Sequence, residues 1–204
     1  MTAIMNRRAM ILSSGAAALL PALPAGAATL RSVKVAEQPR VPLLQPEWPV
    51  PDEPNQIFYL QRSINANTIV FTARYDGDGQ LVFPDAAEIY WRRYGDAGER
   101  MPLKPIEKIL AFGMQIRKRP EPDQYTVWLN PLPQLSMLLM QTAPGQAQLL
   151  GRIGGQTARA VYAYAEVDDT GLIPRVNGLS LHGVLPDGGA ISEYFSVAGG
   201  EYRP

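Results

Sequence analysis

The sequence predicts an all-β fold: a single antiparallel β-sandwich or barrel with at most one short helix, placed after an N-terminal signal peptide. Short runs of β-branched and aromatic residues with period-two alternation recur along the chain, and clusters of glycine, proline, asparagine and aspartate separate them. No stretch shows a strong helical pattern. Many short strands with frequent turns are typical of sandwiches and barrels.

The clearest strand pattern lies in residues 55–79, NQIFYLQRSINANTIVFTARYDGDG, which predicts one long β-hairpin. We expect its arms to meet at residues 64–67, because Asn65 or Asn67 can adopt a positive φ angle at little cost. Two Asp-Gly pairs at residues 76–79 predict a tight reversal into a third strand over residues 80–83. These residues specify a sheet and no reaction.

The remainder of the chain predicts further strands, each bounded by turn residues. Residues 105–110 predict one short helical turn, because Pro105 suits a first helical position and Gly113 interrupts any longer helix. The other predicted strands cover residues 88–94, 114–117, 125–130, 134–141, 146–153, 158–167, 178–185 and 191–197.

Residues 1–27 have the organisation of a removable export signal, with a basic Arg7-Arg8 pair, an apolar run over residues 9–23 and an A-x-A cleavage site at residues 25–27. The paired arginines fit a twin-arginine export signal, and an ordinary secretory signal is the alternative. The apolar run is too short to span a bilayer comfortably, and no later stretch approaches the roughly 20 apolar residues of a membrane helix. We therefore expect a periplasmic or secreted protein with no transmembrane segment in the mature chain.

Residues 28–54 are rich in proline and predict an extended lead, because proline excludes a helix or a central strand. We interpret this lead as a spacer; in the alternative interpretation Leu43, Leu44 and Trp48 dock on the sheet and cover an edge. The β domain is then expected over residues 55–197, followed by a C-terminal tail over residues 198–204.

Charge and composition exclude several classes of function. Both charges in residues 1–27 are arginines, so the rest of the chain carries 17 basic and 19 acidic side chains, a balance that argues against nucleic acid as a partner. The chain has no cysteine and one histidine, so it lacks the usual ligands of a zinc site and any cysteine nucleophile. We expect no metal and no cofactor.

The candidate ligand-binding residues are Gln61, Arg62, Asn65, Asn67, Trp91 and His182. The polar residues around the hairpin turn are typical of a recognition surface at one end of a β scaffold, where loops commonly carry function. The alternative is turn capping, with Asn65 and Asn67 bonded to the loop backbone and Arg62 paired with an acidic residue across the sheet. Both interpretations stay open from the sequence.

Two classes of function compete. A periplasmic binding or interaction module, with a small molecule or an envelope protein as partner, is favoured because no nucleophile or phosphate loop is recognisable. The alternative is a hydrolase that uses His182, which would share a strand face with Ser180, although the Gly-x-Ser-x-Gly turn of many serine hydrolases is absent. A pair of carboxylates distant in sequence would also serve a hydrolase.

The string Phe58-Tyr59-Leu60-Gln61-Arg62-Ser63-x-Asn65-x-Asn67, followed by Tyr90-Trp91-x-x-Tyr94 and Leu110-Ala111-Phe112-Gly113, resembles the family known as domain of unknown function 4833. The resemblance covers residues 55–197 and implies an exported bacterial domain. It carries over no catalytic residue, so it supports the domain boundaries more than the function.

Overall fold

The structure is a computed structural model that describes residues 42–95, 99–130, 132–171 and 175–196. The predicted signal over residues 1–27, the first part of the lead and the predicted tail over residues 198–204 lie outside the described residues.

The described residues form strands joined by turns, with one short helical segment. The strands are β1 (Gln56–Arg62), β2 (Asn65–Ala73), β3 (Ala87–Arg93), β4 (Glu99–Pro102), β5 (Met114–Lys118), β6 (Gln124–Leu129), β7 (Leu132–Ala143), β8 (Gln146–Ile153), β9 (Gln156–Asp168), β10 (Arg175–Val184) and β11 (Ala190–Ser196). Between β4 and β5 lie the α-helical turn α1 (Pro105–Glu107) and a π-helical turn (Lys108–Phe112). The all-β class and the single short helix are as predicted.

All these strands belong to one curled, mixed sheet that forms a half-barrel. The order along the sheet is β4-β3-β2-β1-β9-β8-β7-β6-β5, with β10 beside β9 and β11 beside β10. Strand β9 is the junction, because residues 156–159 pair with β8 and residues 162–165 pair with β1 along the same edge. Its opposite edge pairs with β10.

One strand pair departs from the antiparallel arrangement that the sequence predicts. Strands β1 and β9 run parallel, with Tyr59 beside Tyr162 and Arg62 beside Ala165. A parallel pair needs a long connection instead of a hairpin, and these two strands are far apart in the chain. Local residue patterns therefore carry no signal for their relative direction.

The main core lies on the inner face of the curled sheet. Phe58 and Phe71 meet there edge to face, with ring centres 5.4 Å apart, and Leu60 and Ile69 are buried beside them. Burying a large apolar side chain contributes on the order of 1.5–3 kcal/mol, so this face stabilises the hairpin. The period-two alternation of both arms therefore describes the inner face correctly.

The outer face of β1 and β9 is also buried, because the lead covers it. A second apolar cluster consists of Tyr59, Tyr162 and Tyr164, with Leu43 and Trp48 packed against it. Tyr162 Oη donates a hydrogen bond to the Pro42 carbonyl oxygen at 2.5 Å, and Gln45 Nε2 donates one to Tyr164 Oη at 3.0 Å. From residue 42 onward the lead therefore docks on the sheet and is no free spacer.

Two local details of the predicted hairpin differ in the structure. The reversal between β1 and β2 is formed by Ser63 and Ile64, and neither asparagine has a positive φ angle. The predicted third strand over residues 80–83 is reduced to a single bridge between Tyr75 and Leu81. The amide of Leu81 donates to the Gln141 side chain at 3.0 Å instead of continuing a ladder.

Strand β4 has no counterpart among the predicted strands. Its four residues are mostly exposed, so no apolar alternation marks them. The remaining predicted strands correspond to β3 and β5–β11, and β8 has the predicted bounds. No helix among the described residues is long and apolar enough to cross a membrane.

Candidate functional site

Four of the six candidate binding residues line one cavity. Arg62, Asn65, Asn67 and Trp91 surround a space of about 250 Å³, together with Arg93 and Glu107. We call this space the Arg62 cavity and define it by these six residues. It collects two guanidinium groups and one carboxylate, a net charge of +1, beside two carboxamides and an indole.

Four elements bring these side chains together. Arg62 ends β1 and Asn65 begins β2, on either side of the tight turn, while Trp91 and Arg93 lie two residues apart on β3. The pairing of β1 with β2 shifts register between Leu60 and Arg62. A bulge of this kind re-aims side chains near a strand end. Glu107 lies on α1. The chain segment that follows β4 places α1 beside the cavity.

Arg62 is held between two aromatic rings. Its Cζ atom lies 4.5 Å from the centre of the Trp91 ring and 5.7 Å from the centre of the Phe112 ring. One Nη group donates to Asn65 Oδ1 at 3.1 Å. Its Nε atom is buried and has no hydrogen-bond partner among the described residues. Burial lowers the pKa of Arg62, and the nearby carboxylate of Glu107 opposes that shift.

Glu107 and Trp91 fix each other. The indole Nε1 of Trp91 donates to Glu107 Oε2 at 3.2 Å, and the Lys104 backbone amide donates to the same oxygen at 2.7 Å. Trp91 is buried, and Phe112 packs edge to face against its ring at 5.3 Å. These contacts hold the indole and the carboxylate in fixed orientations, so this part of the cavity wall is pre-organised for binding.

Each of the two asparagines lines the cavity and also accepts a hydrogen bond from a backbone amide. Asn65 Oδ1 accepts from the Asn67 backbone amide at 3.1 Å, and Asn67 Oδ1 accepts from the Tyr94 backbone amide at 3.2 Å. The turn-capping interpretation therefore describes Asn65, whereas Asn67 bonds to the residue that follows β3. It does not describe Arg62, whose partners are Asn65 and two rings instead of an acidic residue. The Nδ2 groups of both asparagines remain available as donors.

His182 lies on the outer face of the sheet, away from the Arg62 cavity. Its ring stacks on Tyr162 with centres 4.3 Å apart and an interplanar angle of 3°, and Tyr162 stacks in turn on Tyr59 at 5.1 Å. The imidazole is buried, and burial lowers its pKa. Neither ring nitrogen has a hydrogen-bond partner among the described residues, so no serine or carboxylate there is paired with it.

Gln61 also belongs to the outer face. It sits beside Tyr164 across the parallel pair of β1 and β9. Its side chain is completely buried, and both atoms of its amide group lack a partner among the described residues. Gln61 and His182 therefore do not join the other four candidate residues.

A larger cavity of about 690 Å³ lies between β3 and β5, the last strand of the sheet order. Its charged side chains are Arg74, Asp85, Glu88, Arg100 and Lys108. Arg74 pairs with Asp85 at 4.0 Å, and Arg100 pairs with Glu88. These two pairs do not include Lys108, so the larger cavity also has a net charge of +1.

Sequence reasoning missed Arg93 and Glu107. Arg93 was visible only as part of a basic pair on a strand, and Glu107 only as an acidic residue in a helical first turn, where carboxylates commonly cap the backbone. In the described ranges no three histidine, aspartate or glutamate side chains are grouped closely enough to hold a metal ion.

Comparison with known proteins gives one match. A family model described as "Domain of unknown function (DUF4833)" matches residues 58–193, which are two thirds of the chain. No curated protein and no solved structure matches. The match spans β1 to β11 and includes all six residues of the Arg62 cavity.

Proposed function

Because the chain belongs to the DUF4833 family, whose description assigns no activity, we propose its function from the Arg62 cavity: an exported, periplasmic binding module for a small molecule that carries a carboxylate. The proposal rests on the burial of Arg62 and on its hydrogen bonds. Its guanidinium is half-buried between two rings, yet its buried Nε has no partner among the described residues. A buried donor without a partner costs on the order of 1–3 kcal/mol, which a bound acceptor would recover once the guanidinium turns Nε toward the cavity.

A carboxylate fits the remaining groups of the cavity. Guanidinium and carboxylate form paired, parallel hydrogen bonds, and such charge-assisted bonds are among the strongest in proteins. Arg93 also lines the cavity, and the Nδ2 groups of Asn65 and Asn67 supply neutral donors. The volume of about 250 Å³ lies below the range of roughly 300–1,000 Å³ for drug-sized ligands, so the ligand is small.

Binding fits the cavity better than hydrolysis. None of its six residues carries a hydroxyl, thiol or imidazole group that would serve as a nucleophile or a neutral base. A mechanism with two carboxylates needs a second acid, and Glu107 is the one carboxylate among the described residues that line the cavity. His182 is buried in a ring stack on the other face.

The periplasmic part of the proposal rests on the sequence of residues 1–27. The paired arginines, the apolar run and the A-x-A site support export with cleavage after Ala27. A binding module in that compartment would meet small polar solutes that cross the outer membrane. The proposal therefore joins a location and a ligand class that can be tested separately.

A thermal-shift series with the purified protein tests the ligand class. Acetate, propionate and succinate are added at matched ionic strength, with acetamide and sodium chloride as the uncharged and the inorganic controls. At least one carboxylate should raise the melting temperature in a saturable way, because a ligand that binds only the folded state stabilises it. Arg62→Met should remove that rise.

Arg117→Met is the matched control. Arg117 also lies over an indole, with its Cζ 5.4 Å from the centre of the Trp128 ring, but it does not line the Arg62 cavity. This variant should keep the carboxylate response of the unchanged protein. If no carboxylate raises the melting temperature, or if Arg62→Met responds as the unchanged protein does, the proposed ligand class is wrong.

A further inference from the structure

The Arg62 cavity holds opposite charges that are not paired with each other. Arg62 and Glu107 both line it, and no ion pair or hydrogen bond joins their side chains. The guanidinium of Arg62 bonds to Asn65 and stacks on Trp91. Unpaired opposite charges across one small space are the arrangement that a ligand with both charges would complement.

Among the described residues, Glu107 Oε1 has no hydrogen-bond partner. Both of its hydrogen bonds, from the Trp91 indole and from the Lys104 amide, end on Oε2. A carboxylate accepts about four hydrogen bonds, so Oε1 keeps its accepting capacity. Since the two bonds to Oε2 hold the group in place, a cation that reaches Oε1 would need little reorganisation of the protein.

The charge arrangement also discriminates between ligands. A simple carboxylate bound at Arg62 would lie near the negative charge of Glu107, and a simple amine bound at Glu107 would lie near Arg62 and Arg93. Each of these ligands gains one favourable contact and suffers one repulsion. A molecule with an ammonium and a carboxylate gains both contacts, and unfavourable charge contacts against the wrong ligand are a common source of specificity.

The size of the cavity limits the distance between the two charges of the ligand. A volume of about 250 Å³ equals that of roughly eight water molecules in the liquid. We propose, resting on the carboxylate site proposed above, that the Arg62 cavity binds a small zwitterion of the amino-acid class, with its carboxylate at Arg62 and its ammonium at Glu107 Oε1.

Isothermal titration of the purified protein with four probes tests this inference. Alanine and β-alanine carry both charges, propionate carries only the carboxylate and propylamine only the ammonium. At least one of the two amino acids should bind about tenfold or more tightly than propionate, because a charge-assisted hydrogen bond contributes enough for such a factor. Propylamine should bind more weakly than propionate.

Glu107→Gln is the variant that isolates the ammonium contact. It keeps a side-chain oxygen to accept from Trp91 or Lys104 and removes the charge. The preference for an amino acid over propionate should fall to about twofold or less, while propionate binding persists or tightens. Glu88→Gln is the matched control, since Glu88 pairs with Arg100 beside the larger cavity, and it should leave the preference unchanged.

The outcomes separate the two proposals. If propionate and both amino acids bind equally to the unchanged protein, the zwitterion inference is wrong and the carboxylate site stands. If none of the carboxylates binds, the proposed function itself fails. The comparison of probes on the unchanged protein decides the inference even if Glu107→Gln does not fold.

Discussion

The guanidinium carbon of Arg62 lies 4.5 Å from the centre of the Trp91 ring, and the same indole donates through Nε1 to Glu107 at 3.2 Å. One aromatic side chain therefore positions the charged groups of Arg62 and Glu107. Arg62 reaches it from the end of β1, and Glu107 reaches it from α1. The proposed binding chemistry depends on this shared contact.

Trp91→Phe should weaken ligand binding more than it weakens the fold. Phenylalanine keeps a ring beneath Arg62 but loses the donor to Glu107, and one such hydrogen bond contributes about 1 kcal/mol to stability. We expect carboxylate affinity to fall several-fold, because the smaller ring holds Arg62 less firmly and Glu107 loses its indole contact. Urea unfolding and isothermal titration measure the two effects.

Trp128→Phe is the control for that change. The guanidinium of Arg117 lies over the Trp128 ring, and Trp128 does not line the Arg62 cavity. Its replacement should leave ligand affinity unchanged. Equal losses of affinity in the two tryptophan variants would contradict a specific role of Trp91.

The sequence reveals the parts of this cavity that are local and misses those that depend on the tertiary fold. Arg62, Asn65 and Asn67 lie within one hairpin turn, so their proximity follows from chain connectivity. Arg93 and Glu107 join them through the β2–β3 pairing and the position of α1, which no short pattern encodes.

The separation of Gln61 from Arg62 follows from strand geometry. Successive side chains of a strand point to opposite faces, so adjacent residues of β1 cannot share one side of the sheet. The position of His182 does not follow from strand alternation alone. Its neighbour Tyr162 lies on another strand, and the sequence does not show the register between the two strands. The docking of Leu43, Leu44 and Trp48 is one of the two interpretations that the sequence leaves open; in the structure Leu43 and Trp48 dock on the sheet and Leu44 is exposed. A proline-rich segment has no period that reveals which face it covers.

The stability of the fold should decrease as the pH falls below 6.5. The pKa of His182 is lowered from its ordinary value of 6.5 by burial, so the unfolded chain takes up the proton at a higher pH than the folded chain. The stability that depends on neutral His182 is therefore complete above pH 6.5 and is lost below it, until the folded protein is protonated too. Tyr162, which stacks on His182, and Tyr59, which stacks on Tyr162, stay neutral because burial raises the pKa of both.

His182→Phe tests this effect, because it keeps an aromatic ring against Tyr162 and removes the titrating group. Urea unfolding at pH 7 and pH 5 should show a smaller loss of stability in the variant than in the unchanged protein. The chain has a single histidine, so no other imidazole contributes. An equal loss in both proteins would show that His182 does not titrate in this way.

Tyr162→Phe should loosen the lead without disrupting the sheet. It removes the hydroxyl that donates to the Pro42 carbonyl oxygen and keeps the ring in its stack. We expect a loss of about 1 kcal/mol and faster hydrogen exchange in residues 42–54. Tyr194→Phe, which removes an exposed hydroxyl bonded to Glu166, is the control and should leave exchange in the lead unchanged. Protection of the lead that is identical in all three proteins would refute its docking through Tyr162.

The export proposal predicts the fate of a variant with Arg7→Lys and Arg8→Lys. Paired arginines are the feature that the twin-arginine route reads, so the double change should trap uncleaved precursor in the cytoplasm. Cell fractionation and N-terminal sequencing of the periplasmic protein measure this. Unchanged export would point to the general secretory route, and a mature N-terminus far from Ala28 would refute the cleavage site.

The most direct test of the carboxylate site observes the Nε–H group of Arg62 itself. Proton–nitrogen correlation spectra resolve arginine Nε–H groups, and Arg62→Lys and Arg117→Lys assign the two signals of interest. Titration with propionate and alanine should shift the Arg62 signal in a saturable way, because its buried Nε has no partner until a ligand supplies one. The Arg117 signal should stay in place. An Arg62 signal that does not move, or that moves only in parallel with Arg117, would contradict binding at the Arg62 cavity.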